Sequence, residues 1–452
     1  MFGWLDDRLG LAGWTRAGLR KVFPDHPSFL LGEVALFCLV VLVATGVFLT
    51  LFYVPDATPV TYQGSYLPLH GQTVSAAYES VLDLSFDVRA GLVMRQVHHW
   101  AALVFVAAIV VHLLRIFFTG AYRRPREINW LIGIGLLVFA LAMGITGYSL
   151  PDDLLSGTGL RIIYSAVISI PFIGPGVAFL LFGGEFPTET IVSRLFVFHI
   201  MLLPALLLGM VGIHLAILWR QTHTQFAGHG ASEDRLVGKA FWPSQVFKST
   251  GLMLLTAAVL ALMGGLIQIN PVWTYGPFDP TRVSAPSQPD WYVGWLDGAL
   301  RLFPPIEFTV FGITIPSPFI PGVLLPGLAF GIMTIWPFLE AWVTGDHREH
   351  HILDRPRDAP LRTSAGVAAL TVFVLLTVAA GNDVGSLILR IPLEATTNLL
   401  RIAVVVLPVV FGFVTYRVCL ELQRRELAAE AGRPVAVRLE RNERGGFSED
   451  EE

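Results

Sequence analysis

Residues 96–118 read QVHHWAALVFVAAIVVHLLRIFF, and residues 195–219 read LFVFHIMLLPALLLGMVGIHLAILW. Each is a largely apolar run long enough to cross a bilayer as a helix. Each also holds two widely spaced histidines: His98 and His112 are 14 residues apart, His199 and His214 are 15 apart. At about 1.5 Å of rise per residue, either spacing sets the two imidazoles roughly 21–22 Å apart on one helix. Fourteen residues make nearly four turns, so His98 and His112 share a face; fifteen overshoot by about 60–70°, which is still one side of the helix. Imidazole is costly in lipid unless it faces a partner within the bundle. A single such histidine is ordinarily explained by a hydrogen bond to a neighbouring helix. Two pairs at matched spacing point instead to two iron centres stacked across the membrane, each held between two imidazoles, with haem as the iron carrier.

The glycines keep the same period. Gly32 and Gly46 are 14 residues apart in the first apolar run, and Gly133 and Gly147 are 14 apart in the third. A flat macrocycle packed on a helix needs a missing side chain where it touches. Glycine is also common where membrane helices simply pack together, and the shared period is what favours the haem contact. Three arginines lie beside the histidines: Arg95, Arg115 and Arg194. Each can offer a charge-assisted hydrogen bond to a haem propionate, or can merely snorkel to the interface.

The whole composition agrees with a membrane location. Of 452 residues, 54% are hydrophobic and 15% charged, with a mean hydropathy of +0.62, as expected for an integral membrane protein of many spans. The formal net charge of −4 gives no support to nucleic-acid binding. Cys38 and Cys419 each stand alone in apolar runs, which excludes a thiolate metal site or a disulfide framework. Eight spans are expected, at 31–54, 96–118, 129–150, 195–219, 250–269, 318–343, 364–380 and 400–420. The fold class is therefore all-α integral membrane, with a haem-binding four-helix bundle in the N-terminal half. The Arg and Lys residues concentrate at the start of the chain, around Arg123, Arg124 and Arg126, between Arg220 and Lys248, between Arg348 and Arg362, and in the tail. By the positive-inside bias both termini are cytoplasmic, with His98 and His199 near the outer face. The expected organisation is an amphipathic segment over 1–29, a haem-binding region over 30–222, a C-terminal four-helix region over 223–422, and a charged, largely disordered cytoplasmic tail over 423–452.

Two outer connections, 151–193 and 271–317, are long and rich in proline and aromatics, and connections of that kind more often carry function than not. The second contains Pro289-Asp290-Trp291-Tyr292. A carboxylate within an apolar aromatic stretch is a candidate proton acceptor, although a turn carboxylate facing water reads the same way in isolation.

These motifs, together with Gly147-Tyr148-Ser149-Leu150-Pro151, follow one another in an order that resembles the cytochrome b subunit of cytochrome bc and bf complexes. The resemblance covers about residues 25–420. It implies a quinol–cytochrome c oxidoreductase core with two haems b, one on His98 and His199 and the other on His112 and His214. It implies quinol, here expected to be menaquinol, oxidised at an outer site formed by Pro289, Asp290, Trp291 and Tyr292, with Asp290 and Tyr292 in catalytic roles. It implies a Rieske iron–sulfur partner for one electron, a transmembrane route for the other to quinone at an inner site, a c-type cytochrome, a homodimer, and proton translocation across a bacterial cytoplasmic membrane. The fused eight-span form resembles the bc type, and the 15-residue histidine spacing the bf branch.

There are departures from the family pattern. Asp290 stands where many relatives carry Glu. His99, next to a ligand, is expected to face away from that haem. Trp219 and Ser249 occupy positions where mitochondrial relatives place inner-site His and Asp, so Arg220, His223, Lys248 and Glu33 are only candidates there. Leu30 replaces the cysteine that attaches an extra haem in the bf branch, so no covalent haem is expected. Two rivals stay open on sequence: the dihaem anchor of another membrane dehydrogenase, and a transporter with buried proton-relay histidines. A redox spectrum separates the last from both others.

Overall fold

In the computed structural model, residues 2–283, 288–431, 437–441 and 447–451 are described. Among them are eight helices long and apolar enough to cross a membrane: Pro27–Thr50, Gly91–Phe118, Glu127–Tyr148, Ile191–Gln221, Phe241–Leu266, Ile320–Thr344, Pro360–Ala380 and Leu393–Ala429. They are called here the first to eighth spans. All eight expected spans are present; all but the sixth begin before the expected start, while the first, third and fifth stop a few residues short of the expected end. The fifth reaches back to Phe241 across a kink at Trp242, whose backbone is extended (φ −103°, ψ 134°), and its regular α-helix runs Val246–Leu266.

The eighth helix continues to Ala431, so the first residues of the expected tail extend it, and Val437–Arg441 pairs antiparallel with Phe447–Glu451. Its stretch Glu426-Leu427-Ala428-Ala429-Glu430-Ala431 consists of strong helix formers. Residues 432–436 and 442–446 of the tail lie outside the described residues. The N-terminal segment forms two short helices, Phe2–Leu9 and Leu11–Leu19, separated at Gly10, whose φ of 61° suits glycine.

The first span packs along the second, the third along the fourth, and the second touches the third. Ala35, Cys38 and Leu39 of the first span interlock with Val97, Ala101 and Phe105 of the second, and Ala140, Leu207 and Leu260 join the same core from the third, fourth and fifth. The fifth span thus leans on the first and second, so packing does not divide at residue 222. The seventh and eighth spans form a separate pair, against which the helix Trp291–Leu302 is laid.

The long connections at the end opposite the termini are mostly helical. They include Ala76–Phe86, Leu154–Ile168, Gly174–Phe182 and Trp291–Leu302. The helix after Pro151 starts with a reciprocal cap: Ser156 N donates to Asp153 Oδ1 at 2.8 Å, and Asp153 N donates to Ser156 Oγ at 3.2 Å. Burial pushes the carboxyls of Asp152 and Asp153 up, that of Asp152 to about 6.

At the other end, Arg362 is buried and reaches Glu340 Oε1 at 2.7 Å and Asp354 Oδ2 at 2.9 Å, while Tyr122 donates to Glu340 Oε2. This network ties the sixth and seventh spans to the loop after the second. Removing one partner would leave a buried charge exposed to apolar surroundings, the costly way to break such a pair.

The fourth span is not a regular α-helix. Residues Phe198–Leu202 form a π-turn, flanked by Ile191–Val197 and Leu203–Gln221. Pro204 follows at once and has no N–H to return to the preceding turn. A π-turn closes i→i+5 instead of i→i+4 and so holds one extra residue. That residue absorbs the overshoot expected from the 15-residue spacing, and His199 and His214 come into the phase of a 14-residue pair.

Candidate functional site

Each of the four histidines lies against one of the four period-matched glycines. A Cβ built on Gly46 would lie 3.4 Å from His98 Cε1, on Gly32 3.3 Å from His112 Cε1, on Gly133 3.8 Å from His214 Cε1, and on Gly147 2.5 Å from His199 Cε1. The missing side chains therefore make room for the imidazoles themselves. Alanine at 147 would collide with its histidine.

Two threonines fix the tautomer at one pair. Thr45 Oγ1 donates to Val41 O at 2.7 Å, which spends its only hydrogen, so its 2.9 Å contact with His98 Nδ1 must accept Nδ1–H. Thr146 repeats this with Ala142 O at 2.9 Å and His199 Nδ1 at 3.1 Å. Both rings then keep Nε2 bare, the form that ligates a metal. The signal was present in the sequence as Thr-Gly at 45–46 and 146–147, on the two glycine-bearing spans. The other pair lacks it: Nδ1 of His112 and of His214 is buried without a well-formed hydrogen bond.

The ring centroids of His98 and His199 are 6.2 Å apart. A metal–imidazole bond of about 2.0–2.1 Å and a ring radius of roughly 1.1 Å on each side give about 6.2–6.4 Å for two rings sharing one metal. Arg95 and Arg115 each hold Nε and Nη2 buried with no partner, and an unpaired buried donor costs about 1–3 kcal/mol. Anionic carboxylates would satisfy them, so these residues fit a dihaem group with propionates. Arg194 differs: its Nη1 donates to Phe179 O at 3.1 Å and Leu180 O at 2.7 Å.

Next to the first pair lies a cavity of about 480 Å³, lined by Tyr148, Ser149, Gly159, Asp290, Tyr292 and Asp297 among others. Pro289 also lines it, whereas Trp291 is exposed. Asp290 occupies the residue just before the helix Trp291–Leu302 instead of a loop centre. Its carboxylate is gripped by His99 Nε2, at 3.0 Å from Oδ1 and 2.9 Å from Oδ2, and Tyr292 Oη donates to Oδ2 at 3.2 Å. Tyr292 is 4% exposed, packed in the same core as the spans and close against Gly144, where any Cβ would meet its hydroxyl. Burial, and then the carboxylate of Asp290, raise the Tyr292 phenol well above its ordinary value, so it stays a proton donor. His99 does turn away from His98, as helix phase requires, and finds Asp290 there. An imidazole pointing off a ligand helix in lipid needs a partner, which is the clue the sequence offered.

At the end carrying the N-terminal helices, Lys248 pairs with Asp25, which also takes Lys239 at 2.7 Å. Arg220 is exposed in the last turn of the fourth span. His223 and Glu33 are drawn toward the protein interior, each with a buried atom that bonds to nothing, Nδ1 and Oε2 respectively.

An all-helical membrane bundle with two stacked imidazole pairs is the architecture of a transmembrane electron carrier. The family model described as "Cytochrome b(N-terminal)/b6/petB" matches residues 103–277. The chain is 49% identical over 424 residues to the cytochrome bc1 complex cytochrome b subunit of Streptomyces coelicolor, covering 94% of this chain and 78% of that one. It is 51% identical over 423 residues to the subunit of the same description from Mycobacterium tuberculosis, covering 93% and 77%. A solved structure described as hyperthermophilic respiratory Complex III matches the fold with a TM-score of 0.67 at 20% identity, over 92% of this chain and 100% of that one. The chain belongs to the cytochrome b subunits of cytochrome bc1 complexes.

Proposed function

We propose that this subunit oxidises quinol at the outer face and reduces quinone at the cytoplasmic face, using two haems b held by His98 with His199 and by His112 with His214. The observation that carries the reading is the 6.2 Å separation of two imidazoles whose threonine partners leave both Nε2 atoms bare. When bound, the haems supply two one-electron carriers stacked across the membrane. Arg95 and Arg115 neutralise their propionates; Arg194, already bonded to two carbonyls, braces the helix Gly174–Phe182. Gly32, Gly46, Gly133 and Gly147 let the ligand rings approach the neighbouring spans.

Quinol enters the cavity beside Asp290. As it gives up its electrons, Asp290 accepts a proton, a general-base role that needs a carboxylate within hydrogen-bond reach of the leaving hydrogen. His99 and Tyr292 hold that carboxylate on two sides, so its position is set before substrate arrives. Pro289 shapes the wall of the cavity, with Trp291 exposed beside it. One electron passes to a Rieske iron–sulfur subunit and on to a c-type cytochrome, the other crosses to the inner face, where Arg220 and Lys248 sit. Release of protons outside and uptake inside build the proton motive force. The complex is a homodimer in a bacterial cytoplasmic membrane, and menaquinol is the expected substrate.

Haem extraction tests the cofactor assignment. Pyridine haemochrome analysis of the purified subunit will give about two haems b per chain, all removed by acid–acetone; a value near one, or residual covalent haem, rejects it. Orientation is tested with Ser65→Cys. Ser65 is exposed in the connection after the first span, whereas Cys38 and Cys419 are buried. An impermeant thiol reagent will label that variant from outside intact cells. Labelling only from the cytoplasmic side of inverted vesicles reverses the assignment of both haems.

A further inference from the structure

The inference here rests on the two-haem reading proposed above. We propose that Thr45 and Thr146 are positioning residues that hold the haem on His98 and His199 at the lower redox potential, so that an electron runs downhill from this pair to His112 and His214.

The two imidazole pairs are alike in most respects. Each ring lies against a glycine, and each pair has one arginine, three residues from a ligand, whose Nε and Nη2 are buried and bond to nothing. Backbone carbonyls are shared as well. His98, His199 and His214 face those of Leu42, Met143 and Asn129, each four residues before the contacted glycine. The pairs part at the residue just before that glycine. It is Thr45 or Thr146 for His98 and His199, but Leu31 or Ile132 for His112 and His214. Leucine and isoleucine cannot accept a hydrogen, and Nδ1 of His112 and of His214 is buried without a well-formed bond.

Both threonines are buried, so water does not compete for their hydroxyls. Each donates one turn back, Thr45 to Val41 O at 2.7 Å and Thr146 to Ala142 O at 2.9 Å. Donating its hydrogen polarises the hydroxyl oxygen and makes it a better acceptor. That oxygen then draws on Nδ1–H, at 2.9 Å from His98 and 3.1 Å from His199. A hydrogen bond accepted from the far side of a ligating imidazole raises the basicity of Nε2. Ferric iron carries one more positive charge than ferrous iron, so the more basic ligand favours it and the couple moves to lower potential. The two threonines act on the two ligands of one site, and their effects have the same sign. Nothing in this depends on which end of the bundle faces outside.

The test uses membranes containing the assembled complex, poised stepwise with mediators while haem b absorbance is recorded. Valine keeps the branched shape of threonine and removes both bonds, and Val41 and Ala142 O keep their helical partners. Losing such a partner of a ligating histidine is worth about tenfold or more, which for a one-electron couple is about 59 mV. Thr45→Val and Thr146→Val will each raise the lower haem b midpoint by about 59 mV, the double variant will raise it further, and the upper midpoint will stay in place. Thr45→Ser and Thr146→Ser, which keep the hydroxyl, will leave both midpoints at their wild-type values. Ile132→Thr, which supplies a hydroxyl at the equivalent position beside His214, will lower the upper midpoint. Unchanged midpoints in the double valine variant with both haems bound, or movement of the upper one instead, overturn the proposal. If the valine variants lose haem, Ile132→Thr decides it, and an unmoved upper midpoint overturns the proposal. A wild type with fewer than two haem b components would instead reject the two-haem reading itself.

Discussion

Replacing His199 with leucine will leave one haem b per chain and stop quinol–cytochrome c turnover. Leucine fills much of the volume of the imidazole against Gly147 and Thr146 but offers no lone pair, so the iron facing His98 would keep a single protein ligand. The other pair stands on the far side of the bundle with its own glycine contacts and would still assemble. By the orientation proposed here the lost absorbance belongs to the low-potential haem, because His98 and His199 lie at the end where quinol is oxidised. Potentiometric titration of membranes reads the outcome: one haem b component missing and the other at its usual midpoint. His214→Leu will give the mirror result. Loss of only the high-potential component in His199→Leu would mean that the two ends are exchanged.

Asp290→Asn will lower turnover by roughly 10–100-fold, at or just below the lower end of the range for removing an acid–base group. Asparagine has nearly the shape of aspartate and can still accept from His99 and Tyr292 through its carbonyl, so the local packing should survive. What it cannot do is take up a proton as the quinol is oxidised. Haem spectra and reduction of haem b from the inner site serve as the assembly control. Asp290→Glu will be milder, since the extra methylene lengthens a side chain that remains a base and matches the residue many relatives carry. Wild-type turnover in Asp290→Asn would transfer the proton to another group or to water. Haem loss in that variant would make the contact with His99 structural.

The parts of this protein that could be read from its sequence are those that lipid imposes. Long apolar runs became spans because the bilayer allows little else, and a histidine or glycine repeated at four turns was visible because helical phase is regular. The signals that stayed hidden depend on proximity across the fold. His99 and Asp290 are 191 residues apart, and neither predicts the other. The connections at the end opposite the termini read as loops because proline and short apolar stretches mask helices of 9 to 15 residues. The tautomer lock was half-visible, as a threonine before two of the four glycines, yet its meaning needs the Val41 and Ala142 carbonyls that exhaust the hydroxyl hydrogens. Arg194 resembled Arg95 and Arg115 by its place beside a ligand; only the carbonyls of Phe179 and Leu180 set it apart.

The wide turn at Phe198–Leu202 bears on how such a helix can change over time. A one-residue insertion in a regular helix rotates everything beyond it by about 100°, which would swing one ligand out of the bundle and destroy a buried site. Here the surplus is taken up next to His199, and His214 regains its bearing. The count between two such histidines is then a poor guide to the face each one presents. A residue gained or lost between Phe198 and Pro204 would leave the face presented by His214 unchanged.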